Sequence, residues 1–216
     1  MKNLLIETNG VCLVTNDSYT TDINFFNKID SAVEAGVDII QIRAKLATNI
    51  KLYELSHKIR ILYPSIKLII NNNIEVALAV NADAIQLSES SMSPEAVRFK
   101  IENRLAIGKS VHSLDVAINA EKSGVDYLIV GTIFQSDSHP EFSNSGVDLI
   151  KKITEKVSVP VLGIGGITHQ NANSVIENGA FGVAVIGELM NSKDVYITAK
   201  TLVDTVEYSK VNKIIL

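Results

Sequence analysis

Val159-Pro160-Val161-Leu162-Gly163-Ile164-Gly165-Gly166-Ile167 and, further on, Gly179-Ala180-Phe181-Gly182-Val183-Ala184-Val185-Ile186-Gly187 are two short apolar runs ending in small residues or bare backbone. Runs of this length, rich in Val and Ile and bounded by glycine, read as buried strands. Similar runs lie upstream at Val11–Thr15, Ile39–Arg43, Leu68–Asn71, Ala84–Leu87, Ala106–Val111 and Tyr127–Gly131. With Val159–Ile164 and Gly182–Ile186 they make eight strand candidates. Amphipathic stretches alternate with them at residues 22–35, 49–62, 74–80, 94–102, 114–123, 146–156, 171–178 and 194–209. Near-continuous apolar strands joined by helices predict a parallel sheet covered by helices.

Closure of that sheet follows from an internal echo. Ala35-Gly36-Val37-Asp38, Asn81-Ala82-Asp83, Gly124-Val125-Asp126 and Gly179-Ala180-Phe181 each stand at a helix-to-strand junction, before strands two, four, six and eight. Pairwise repetition fits a closed (βα)8 TIM barrel better than the alternative, a doubly wound open sheet. At 216 residues the chain meets the lower size of such barrels, roughly 200 residues. No linker or composition break interrupts it, so residues 1–216 read as a single domain. In a barrel, the loops after strands seven and eight commonly hold phosphate. Glycines there let main-chain N–H groups approach an anion. The quoted pair therefore predicts a phosphorylated small-molecule ligand.

Composition narrows the function classes. Hydrophobic residues make up 46% and charged residues 20%, with a net charge of −4 and no long basic run, which argues against nucleic acid. Met1–Gly10 lacks a signal-peptide core, and no apolar run approaches the roughly 20 residues that span a bilayer. The one cysteine, Cys12, lies in an apolar stretch and reads as a buried structural thiol. The expected compartment is the cytoplasm, with no membrane partner. The apolar tail Ile214-Ile215-Leu216 is available to pack on the barrel or on a second copy in a homodimer.

Barrel chemistry gathers at the C-terminal ends of strands. At strand two, Gln41, Arg43 and Lys45 recur with period two and so share one face, expected to point into the barrel mouth with Ile40 and Ile42 toward the helices. The alternative is a strand end emerging into solvent with ordinary surface charges. After strand three, Asn71-Asn72-Asn73 supplies amides for a ligand or a helix cap. Ser93-Pro94 and Ser113 have the form of helix caps. Strand five ends in Ser110-Val111-His112, where His112 is either an acid/base group or a loop tie. Strand six opens a long loop, residues 132–145, beginning with Thr132 and carrying His139. Loops this long are usually functional lids or disordered. His139 is either a solvent-exposed loop residue or an acid/base group, since imidazole suits proton transfer near neutral pH. His57 and His169 have weaker claims, one mid-helix and one at a helix start. No cluster has metal-ligand spacing.

Taken together, Leu13-Val14-Thr15, Gln41-Ile42-Arg43-Ala44-Lys45, Ile69–Asn73, Gly108-Lys109-Ser110-Val111-His112-Ser113, Asp126–Phe134 and Val161–Ile167 resemble the thiamine phosphate synthase family and its TenI-type relatives, in order and over nearly the whole chain. The resemblance implies a barrel that binds a phosphorylated thiazole, with phosphate at Gly165, Gly166, Ile186 and Gly187. Its synthase branch joins a pyrimidine pyrophosphate to thiazole phosphate with Mg2+, and Gln41, Arg43 and Lys45 match its pyrophosphate contacts. Where that branch has metal-binding acids, this chain has Asn72 and Ser91, and His139 aligns with its loop lysine. The TenI branch implies a metal-free tautomerase that aromatises a carboxythiazole phosphate by proton transfer. Its histidine after the strand-six glycine is Thr132 here. The expectation is a TenI-like tautomerase with no cofactor, using His139 or His112, with Asn71 and Ser110 as further ligand contacts and Thr132 as a hydroxyl relay. The alternatives are the synthase itself, needing Mg2+, and a non-catalytic thiazole-phosphate-binding or regulatory barrel.

Overall fold

A computed structural model of the chain describes residues 8–135 and 144–215. Among them eight strands pair in parallel, each with its sequence neighbour: β1 (Val11–Val14), β2 (Ile39–Ile42), β3 (Lys67–Asn71), β4 (Ala84–Leu87), β5 (Ala106–Val111), β6 (Tyr127–Val130), β7 (Val161–Ile164) and β8 (Gly182–Val185). β1 also pairs with β8, Cys12 opposite Ala184, and the sheet closes into a (βα)8 barrel. The main helices are α2 (Phe25–Glu34), α3 (Asn49–Leu62), α4 (Ile74–Ala79), α5 (Pro94–Ile101), α6 (Leu114–Lys122), α7 (Val147–Thr154), α8 (Ala172–Glu177) and α10 (Val195–Ile215).

Two further helices, α1 (Asp17–Thr20) and α9 (Gly187–Met190), were not expected from the sequence. One turn of helix is too short to show a hydrophobic period. β7 begins at Val161, two residues later than expected. Pro160 has no N–H to give a ladder, although its carbonyl accepts from Leu128 N at 2.9 Å. Helix starts follow the predicted chemistry. Asn73, Ser93 and Ser113 accept from the main-chain N–H three residues on, at 2.9, 3.3 and 3.4 Å.

Strand alternation sorts the side chains into two cores. Cys12, Val14, Ile39, Ile69, Ala84, Ala106, Tyr127, Ile129, Leu162 and Ala184 fill the barrel interior. Ile40, Ile42, Leu68, Ile70, Ile85, Ile107, Leu128 and Val183 face the helices. Cys12 is fully buried, and desolvation pushes its thiol well above the usual range, as expected of a structural thiol.

The echo seen in the sequence has a structural cause at the N-terminal face. Asp83 Oδ2 accepts from Leu68 N at 2.9 Å and from Arg60 of α3 at 2.5 Å, while Arg60 also donates to Ile66 O. Asp126 repeats the arrangement with Ile107 N, Arg98 of α5 and Leu105 O. Asp38 receives Asn9 N at 2.7 Å. At β8 the carboxylate is replaced by Phe181, over whose ring Lys210 lies 3.8 Å from the centroid. No helix among the described residues is long and apolar enough to cross a membrane.

Candidate active site at the C-terminal mouth

A cavity of about 760 Å³ opens at the C-terminal ends of the strands. Gln41, Arg43, Lys45, Asn71, Ser110, His112, Thr132, Gly165, Gly166, Ile186 and Gly187 all line it. Residues spread over most of the sequence thus meet at one opening, where barrel loops collect. His139 lies outside the described residues. Asn72 and Ser91 are absent from the cavity lining.

The β2 side is cationic and firmly held. Thr15 N donates to Gln41 O at 3.0 Å, and Thr15 Oγ1 accepts from Arg43 N at 3.0 Å. One turn on, Asp17 of α1 accepts from Lys45 N at 3.1 Å and Leu46 N at 2.8 Å. The loop that carries both cations is therefore fixed through its backbone, leaving the side chains to face the cavity. Burial lowers the Arg43 pKa from its ordinary value, with Asp17 opposing, and an arginine keeps its charge under such a shift. Deeper in the barrel, Gln41 Nε2 donates to Asn71 Oδ1 at 3.1 Å, and Gln86 Nε2 to Ser110 Oγ at 3.0 Å. Gln41 Oε1 is buried with no partner among the described residues.

On the β7–β8 side, Gly165 and Gly166 have φ of 99° and 61°. A Cβ at Gly165 would stand 2.5 Å from Thr132 Cγ2, and one at Gly166 would overlap the Gln135 carbonyl oxygen. These glycines admit the segment after β6, which crosses above them with Ile133 N on Ile164 O and Phe134 N on Gly165 O, both at 3.0 Å. Close packing of that segment is a second reason for glycine here, and the sequence alone does not reveal it. Next to this turn, Ile186 and Gly187 begin α9, whose first N–H groups have no intrahelical acceptor. The two glycine-rich stretches therefore share one end of the cavity, where main-chain donors and a helix start favour an anion.

A third group stands at β4–β5. Lys109, almost fully buried, donates to Ser88 O and Glu89 O at 3.4 and 3.3 Å. The Asn72 side chain binds Ser88 N and Ser88 Oγ at 3.0 and 3.1 Å, and Ser91 Oγ donates to Ser88 O at 2.6 Å. The loop so fastened brings Glu89 to the cavity, its Oε2 3.7 Å from His112 Nε2. The other ring nitrogen, Nδ1, contacts the Gly131 carbonyl. The His112 ring is thus tied to the strand-six loop and lines the cavity beside a carboxylate.

Mg2+ prefers one or two carboxylates plus phosphate oxygens. Asn72 and Ser91 do not fit that need, because neither brings charge and their polar atoms are spent on Ser88. Among the described residues no group of three His, Cys, Asp or Glu side chains is placed to hold a metal. Sequence reasoning missed Glu89 and Glu188, which line the cavity, and ranked His169 low although it lines it too. Their only signal was position in the connections that follow strands, shared with many solvated residues.

The family model described as thiamine monophosphate synthase matches residues 11–189. The chain is 36% identical over 203 residues to a thiamine-phosphate synthase of Natronomonas pharaonis, covering 92% of this chain and 95% of the relative. It is 37% identical over 182 residues to a thiamine-phosphate synthase of Pyrococcus furiosus, covering 83% and 87%. The solved thiamine phosphate pyrophosphorylase from Pyrococcus furiosus superposes with a TM-score of 0.84 at 33% identity, over 94% of this chain and 98% of that one. A 3-hexulose-6-phosphate synthase from Salmonella typhimurium, TM-score 0.76 at 14% identity, shares the fold alone. Matched along most of its length by the family model and by relatives above the threshold of chance resemblance, this chain belongs to the thiamine monophosphate synthase family.

Proposed function

We propose that the protein is a transferase of the thiamine-phosphate synthase type, joining a pyrimidine that carries a pyrophosphate to a thiazole that carries a phosphate. The observation that carries this reading is that one cavity is lined by two kinds of anion-attracting group: Arg43 and Lys45 in the loop after β2, and the main-chain turn of Gly165, Gly166, Ile186 and Gly187. A reaction between a pyrophosphate and a phosphate ester uses both. A carboxythiazole phosphate also carries two anionic groups, so this feature supports the synthase without excluding the tautomerase. The synthase names of the relatives support the same choice over the tautomerase expected from sequence. In this reading the cradle at β7–β8 fixes the thiazole phosphate. The ring nitrogen gives its electron pair to the pyrimidine methylene carbon as the carbon–oxygen bond breaks, and that bond's pair leaves with pyrophosphate. Arg43 and Lys45 receive the charge that develops on the leaving group, which is where positioned cations contribute most. The Gln41–Asn71 pair, with its unpartnered Gln41 oxygen, orients the pyrimidine. No step is assigned to Mg2+, because Asn72 and Ser91 do not fit it.

The test supplies hydroxymethylpyrimidine pyrophosphate and thiazole phosphate, with and without Mg2+, and follows thiamine phosphate. Turnover is expected, falling roughly 100-fold in kcat/KM in Arg43→Ala, the scale for losing one charge-stabilising group. No product at stoichiometric protein under either condition rejects the reading. One observation favours a second reading, tautomerisation: His112 lines the cavity with Glu89 beside it, a pair suited to moving a proton. Aromatisation of the carboxythiazole phosphate, lost in His112→Gln, would support it. Binding of thiazole phosphate without either turnover would leave a binding barrel.

A further inference from the structure

Glu188 and His169 follow the two glycine-bearing stretches and both line the cavity. Glu188 is the second residue of α9, and His169 lies in the segment after β7. A single carboxylate oxygen, Glu188 Oε1, accepts from His169 Nδ1 at 2.8 Å and from His169 N at 3.2 Å. The acid is largely buried, its side chain 15% exposed, while the imidazole is 40% exposed and lines the cavity. One pair thus joins the two walls of the phosphate cradle.

The pairing also fixes the ring chemically. With Nδ1–H donated to a carboxylate, Nε2 carries a lone pair when the ring is neutral and a proton when it is charged. Nε2 has no hydrogen-bond partner among the described residues. A phosphate oxygen is repelled by that lone pair and attracted by the N–H. Glu188 also lines the cavity, and its charge next to a phosphate ester needs a counter-charge. The imidazolium supplies one.

We infer that His169, positioned by Glu188, is a titratable third arm of the anion cradle, donating to a phosphate ester only when protonated. This rests on the cradle reading given above. Other charged groups face the same ring. Glu177 of α8, with Asp204 and Tyr208 of α10, lines a groove that His169 also borders, and Asp204 is paired with Lys200. Arg43, Lys45, Glu89 and His112 line the same cavity as His169. Of the groups named, only the two imidazoles ordinarily titrate around neutral pH, so the test must separate them.

Sulfate is the probe, because it stays a dianion where a phosphate ester changes charge. Its binding is measured by calorimetry between about pH 5.5 and about pH 8 on the intact protein, a window that brackets the ordinary imidazole range. Affinity is expected to fall about tenfold as pH rises, the scale of one charge-assisted hydrogen bond. The fall should persist in His112→Gln and vanish in His169→Gln. In Glu188→Gln the ring loses the carboxylate that positions it, so the fall should shrink while binding at the alkaline end of the window is kept, an effect that general unfolding would not produce. An identical pH profile in the wild type, His169→Gln and Glu188→Gln overturns the inference and leaves the cradle standing. No sulfate binding at any pH in the wild type removes the cradle reading, and this inference with it.

Discussion

At the scale of single residues, Gly166 carries the tightest constraint at the site. Its φ of 61° lies in the left-handed region, and its missing side chain makes room for Phe134 and Gln135. Gly166→Ala should cost on the order of 1–3 kcal/mol from backbone strain alone. It should also push the segment after β6 off the turn. The expected result is a lower melting temperature together with weakened sulfate binding. A variant with both properties at wild-type level would show that neither the packing nor the turn geometry matters here. Residue types were legible at this scale where spacing constrained them. Gln41, Arg43 and Lys45 repeat every second residue, which reads as one strand face. β2 ends at Ile42, and the loop after it, held by Thr15 and Asp17, carries the two cations to the cavity. Glu89, Glu188 and His169 have no such spacing, and only folding shows that the two acids lie against imidazoles.

At the scale of elements, the aspartates that open β4 and β6 hold neighbouring strands and helices in register. Asp126 accepts from Ile107 N at 2.7 Å and from Arg98 at 2.5 Å. Removing the carboxylate leaves a strand N–H and a guanidinium without it, whereas removing the arginine leaves the carboxylate still bonded to the backbone. Asp126→Ala is therefore expected to cost about 2–3 kcal/mol, and Arg98→Ala less. Urea denaturation measures both, and the reverse order would refute the argument. The existence of these elements was readable because apolar runs and caps are local. Their ends were less so: α9 is one turn, and the start of β7 depends on which N–H groups its neighbours can reach.

At the scale of the molecule, α10 covers the seam where the first and last strands meet. It packs on α2, α8, α9 and β1, and buries Ala199, Leu202, Val203 and Val206. Because β1 and β8 are paired across this seam, damage there should open the whole ring. Leu202→Ala is expected to cost about 2–5 kcal/mol and to keep a single unfolding transition, read by circular dichroism and by near-ultraviolet signal together. Separate transitions would show that α10 detaches on its own.

The amino-acid pattern by itself determined the alternation of strands and helices, the inward and outward faces and the pair of cations that follows β2. Each of these depends on periodicity and backbone chemistry within a few residues. Tertiary structure alone decided that Asn72 and Ser91 fasten a loop at Ser88, that Gly165 and Gly166 lie beneath the segment after β6, and that Glu188 holds His169. Those facts are distances between residues far apart in the chain, and barrel closure, which no local propensity encodes, is what makes them short.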